Sequence, residues 1–110
     1  MDATSSNDAI IEKISHINEQ TQKTDTRPHI LIIEDNADIL EMYDIAFRSR
    51  GYEVSTALDG LDGVTKAVAL SPNVIILDIM MPHMDGFEVL HTLKNNTSLK
   101  SVVIVNSNLE

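Results

Sequence analysis

Short aliphatic runs at residues 29–33, 52–57, 74–77 and 102–105 alternate with stretches whose apolar residues recur at helical spacing, and this rhythm constrains the chain more than any other feature. Runs of four to six β-branched and aliphatic residues that stop at polar loops read as buried strands. The first, His-Ile-Leu-Ile-Ile, halts at Glu34-Asp35-Asn36. After it Ile39, Met42, Tyr43, Ala46 and Phe47 mark a helix, with Asn36 or Asp38 as N-cap and Gly51 as its stop. A second helix follows over residues 61–70 and ends at Ser71-Pro72. Phe87, Leu90 and Leu93 set out a third, which Asn95-Asn96 breaks. Strands alternating with helices predict an α/β fold: a parallel sheet covered on both faces through right-handed crossovers.

At 110 residues there is room for one domain with a short appendage. A hydrophobic fraction of 43% is too high for a wholly disordered chain, so a packed core is expected. The formal charge of -9 repels nucleic acid and anionic membrane surfaces, which argues against direct DNA binding. Without cysteine, neither a disulfide framework nor a thiolate metal site is available. No basic leader and no apolar run long enough to span a bilayer is present, which predicts a cytoplasmic protein.

Residues 1–27 are polar and form an N-terminal extension; residues 28–110 carry the βα rhythm. Ile10, Ile11, Ile14 and Ile17 lie three and four apart, the spacing of one helical stripe within residues 8–21.

The chemistry concentrates at strand ends. Glu34 and Asp35 close the first strand and Asp78 the third. In an open parallel sheet, ligands bind outside the carboxyl ends of the strands, where strand order reverses. If the first strand lies between the second and third, the three acids converge there. Carboxylates crowded in this way need raised pKa values or a cation. Oxygen donors suit Mg²⁺, which prefers one or two carboxylates, several waters and a phosphate oxygen. An Asp carboxylate is also a competent nucleophile toward phosphorus, giving an acyl phosphate. In residues 79–86, Pro82 stiffens the following loop and Gly86 permits positive φ before the next helix.

The segment Leu-Asp-Ile-Met-Met-Pro-His-Met-Asp-Gly at residues 77–86 closely resembles the phosphorylation signature of response-regulator receiver domains. Ile-Ile-Glu-Asp-Asn at residues 32–36 resembles that family's acidic pair. The resemblance runs from His29 onward. It implies a flavodoxin-like (CheY-like) three-layer sandwich, strand order 2-1-3-4-5, here lacking the last strand and its flanking helices. It also implies a role in a two-component phosphorelay: a phosphoprotein that accepts a phosphoryl group on Asp78 from a histidine kinase or histidine phosphotransfer protein. By the same likeness Asp35 and Asp78 ligate Mg²⁺ directly, Glu34 acts through water, and the main-chain carbonyl of Met80 adds a further ligand. Asn106, or Ser107 beside it, stands where the family places a hydroxyl residue that contacts the phosphoryl group. The family's Lys after strand five has no counterpart.

A sheet ending at its fourth strand exposes an apolar edge and uncovered faces. A second copy of the chain is the first expectation for covering them, giving a homo-oligomer through the β4 edge. A partner protein and the Ile10/Ile14/Ile17 stripe are the others. A truncated, phosphorylation-independent interaction or dimerisation module is accordingly the rival function. A phosphatase using Asp78 ranks last for want of a substrate pocket, so the chain is read as no enzyme. His16, His29, His83 and His91 share no metal-ligand spacing, and Asp59-Gly60 marks the start of a helix rather than a hairpin turn.

Overall fold

The computed structural model describes residues 9–14, 27–79, 85–99 and 102–106. Residues 9–14 form a helix, α1. There follow β1 (His29–Ile33), α2 (Ala37–Ser49), β2 (Glu53–Ala57), α3 (Gly60–Leu70), β3 (Val74–Leu77), α4 (Gly86–Lys94), a 3₁₀ turn at Thr97–Leu99 and β4 (Val103–Asn106).

The strands pair in the order β2-β1-β3-β4, all parallel. This is the flavodoxin-like order that the family resemblance implies. Register follows from the aliphatic runs: Ile30 pairs with both Val54 and Val74, and Leu77 with Ile33 and Asn106.

Because side chains alternate across a strand, β1 feeds two separate cores. Ile30 and Ile32 face Val74, Ile76 and Val105 and are covered by Leu40, Tyr43 and Phe47 of α2. Leu31 and Ile33 face Ile75 and Leu77 and are covered by Ala67 of α3, Val89 and Leu93 of α4, and Leu99. Every residue of β3 is buried, as a strand sandwiched between helical layers must be.

Capping side chains start the helices. Asn36 Oδ1 accepts from the N–H groups of Asp38 at 2.9 Å and Ile39 at 3.0 Å, selecting Asn36 over Asp38 as N-cap. Asp59 caps α3 through the Asp62 N–H at 2.7 Å, and Asp85 caps α4 through those of Phe87 and Glu88. The chain leaves α2 at Gly51, whose φ of +90° a side chain would strain.

Ile10, Ile11 and Ile14 are buried in the core formed with Ile30, Ile32 and α2. The N-terminal stripe therefore covers the first sheet face, one of the covers considered from sequence; Ile17 lies outside the described residues.

Some expectations shift. In α4 the buried residues are Val89 and Leu93, whereas Phe87 is 64% exposed. Its place in the first turn, two residues after the cap, turns it away from the sheet. Ile39 in α2 is likewise exposed, and Leu40 takes the core position instead. β4 begins at Val103 and runs through Asn106, one residue later than its apolar run, because Asn106 still pairs with Leu77. Among the described residues no helix is long and apolar enough to cross a membrane.

Candidate phosphoryl-acceptor site

β1 and β3 lie side by side, and the residue after each is acidic. The Glu34 N–H donates to Ala57 O at 3.0 Å, and the Asp78 N–H donates to Ile33 O at 3.3 Å. Parallel pairing thus holds Glu34 and Asp78 at one end of the sheet, with Asp35 next in the chain. The three acids named from sequence are brought together there.

Their environments differ. Glu34 is 2% exposed, while Asp35 and Asp78 are half-buried. Burial, above all, pushes the Glu34 carboxyl up from 4.5 to about 7, and a hydrogen bond with Asp78 and the charges of Asp78 and Asp35 add to it. The Asn36 N–H, donating to Glu34 Oε2 at 3.1 Å, opposes the rise. A hydrogen bond between two carboxyl groups requires one of them to carry the proton. The raised proton affinity of Glu34 favours it as the carrier.

This donor set contains oxygen alone and is partly open to water. Among the described residues no group of three or more His, Cys, Asp or Glu is placed to hold a metal ion. Oxygen donors of this kind would suit a hard divalent ion such as Mg²⁺.

Other sequence candidates are distributed elsewhere. Asn106 ends β4 opposite Leu77, one residue before Asp78, so its backbone stands at the same end of the sheet. Met80 and Ser107, with His16 and His83, lie outside the described residues. His29 pairs through Nε2 with Ser55 Oγ at 2.8 Å, and His91 with Asn95 at 2.9 Å. That Glu34 is buried while Asp78 is half-buried could not be read from sequence, because both directly follow an aliphatic run; the difference depends on strand order and packing.

The chain is similar to known proteins over this region. The model of the response regulator receiver domain family matches residues 30–110. Protein PilG of Pseudomonas aeruginosa is 34% identical over 76 residues, covering 69% of this chain and 56% of PilG. The DNA-binding dual master transcriptional regulator RpaA of Synechocystis is 37% identical over 78 residues, 71% of this chain and 32% of RpaA. The chain thus spans about half or less of the length of these relatives. The chemotaxis response regulator CheY4 of Vibrio cholerae superposes with a TM-score of 0.67 at 34% identity, covering 72% of this chain and 66% of that one.

Proposed function

This chain belongs to the response regulator receiver domain family, and from that premise we propose that it accepts a phosphoryl group on Asp78 from a histidine kinase or histidine phosphotransfer protein. The observation that carries the reading is the placement of Glu34 and Asp78, with Asp35 beside them, at the carboxyl ends of the neighbouring strands β1 and β3. A carboxylate oxygen of Asp78 attacks the phosphorus of a phosphohistidine, the phosphorus–nitrogen bond breaks, and the imidazole leaves. The product is an acyl phosphate.

Asp35 and Asp78, with Glu34 through water and the main-chain carbonyl of Met80, are the proposed holders of Mg²⁺. Bound there, the ion would offset the carboxylate charges and those of the phosphoryl oxygens. Asn106 and Ser107 are proposed to contact the phosphoryl group, Asn106 as a hydrogen-bond donor. Residues 28–110 form the receiver portion in this reading and residues 1–27 its extension. The chain acts in the cytoplasm as an acceptor rather than as an enzyme with turnover.

The test is native mass spectrometry with and without Mg²⁺ and a small acyl-phosphate donor, on the wild type and Asp78→Asn. Mass gain by one phosphoryl group in the Mg²⁺-treated wild type alone supports the reading; gain in Asp78→Asn, or none in either, defeats it.

A second reading, a phosphorylation-independent dimerisation module, is favoured by the position of β4 at the margin of the sheet. The same spectra test it, because a dimer indifferent to Asp78→Asn would support assembly through that edge.

A further inference from the structure

A second feature is formed by residues of α3 and α4. Between the first turns of α3 and α4 lies a cleft of about 400 Å³, whose lining includes none of Glu34, Asp35 or Asp78. Val89 is buried, Val64 is half-buried, and together they provide an apolar base; Leu61, 81% exposed, stands on the wall. Asp59, Asp85 and Glu88 are exposed around it, and among the described residues no basic side chain lines it. Phe87 and Leu58, 64% and 50% exposed, flank the two helix starts.

Charge decides what could sit there. Two helix N-termini supply roughly half a positive charge each, which by itself would favour an anion. Three carboxylates outweigh them, and two of these, Asp59 and Asp85, already satisfy the N-terminal amides. The cleft therefore favours a cation alongside apolar groups. Two copies meeting symmetrically at this cleft would set Asp59, Asp85 and Glu88 against the same acids, so an occupant of opposite charge suits it better. The volume falls near the lower end of the roughly 300–1,000 Å³ typical of pockets, room for a few side chains rather than a folded surface.

We propose that the α3–α4 cleft docks a short basic amphipathic helix of a partner protein. Two apolar side chains one turn apart enter between Leu61, Val64 and Val89, and flanking Lys or Arg residues meet Asp59, Asp85 and Glu88. This surface goes beyond phosphoryl acceptance and is independent of it.

The test uses the full chain, ¹⁵N-labelled, titrated with a synthetic helical peptide of about 14 residues, long enough to hold some helix in water. The peptide bears two leucines four residues apart with lysines beside them. Saturable amide shifts centred on Leu61, Val64, Glu88 and Val89 are expected. Leu61→Ser should weaken binding about tenfold, the worth of one leucine-sized contact. Glu88→Lys should weaken it as well, and less so in high salt. Both side chains are exposed, so the fold survives either change. The proposal is overturned by shifts centred elsewhere, by no saturation at about millimolar peptide, or by equal binding of a peptide with glutamate in place of lysine. It is also overturned if the same amides shift with protein concentration alone, which would identify a second copy as the occupant.

Discussion

Glu34 shows how one residue's surroundings set its chemistry. Its carboxyl is raised from 4.5 to about 7, chiefly by burial, so the folded state binds more protons than the unfolded state between those values. Stability is then fully present below pH 4.5 and is lost as pH rises through 7. The shift corresponds to a loss on the order of 3 kcal/mol. Chemical denaturation across pH 4 to 8 in Mg²⁺-free buffer should show this decline, and Glu34→Gln should flatten it. A variant whose pH profile matches the wild type would show that another group titrates. Mg²⁺ should raise the melting temperature of the wild type at pH 7.5, since a ligand of the folded state alone stabilises it. Asp35→Asn should remove most of that increase. Equal Mg²⁺ responses in both proteins would separate Asp35 from the proposed ion.

Among the elements, α4 and α1 depend most on their seating. A Cβ at Gly86 would lie 2.4 Å from Ile79 Cα and 2.5 Å from its carbonyl oxygen. The obstruction is backbone rather than a side chain that could rotate, so Gly86→Ala should cost about 2–3 kcal/mol by overpacking. A shift in denaturation midpoint measures it; an unchanged midpoint would mean that α4 can move away freely. In α1, Ile10 and Ile14 are 0% and 1% exposed against the first face of the sheet. That packing seats α1 on the sheet. Ile14→Ala should cost about 2–4 kcal/mol, as for a buried large-to-small change. Loss of less than about 0.5 kcal/mol, the range of surface substitutions, would indicate that α1 leaves the sheet in solution.

At the scale of the molecule, β2 and β4 are the outer strands of the sheet, and β4 carries half-buried Val103 and Ile104 and buried Val105. An apolar outer strand is a template for pairing. If a second copy pairs there, Ile104→Lys should shift sedimentation from dimer to monomer without loss of the helical circular dichroism signal. An unchanged sedimentation profile would place any assembly elsewhere.

Much of this architecture was legible in the chain itself. Uninterrupted aliphatic runs at 29–33 and 74–77 can bury both faces only as inner strands, and Asn36, Asp59 and Gly51 mark helix ends by local hydrogen bonding and allowed φ. The acids after those runs identified the candidate site, and the family signature around Asp78 narrowed its chemistry. Periodicity did not separate Phe87 from Val89, or Ile39 from Leu40, because neighbouring apolar residues on a helix differ in burial only once its rotation against the sheet is set. The Glu34–Asp78 hydrogen bond, the seating of Ile10, Ile11 and Ile14 beside α2, and the acidic cleft between α3 and α4 likewise join residues far apart in sequence. Local propensity and hydrophobic pattern act over a few residues and determined the elements; which faces and charges meet depends on strand order and helix packing, and only the tertiary structure decided that.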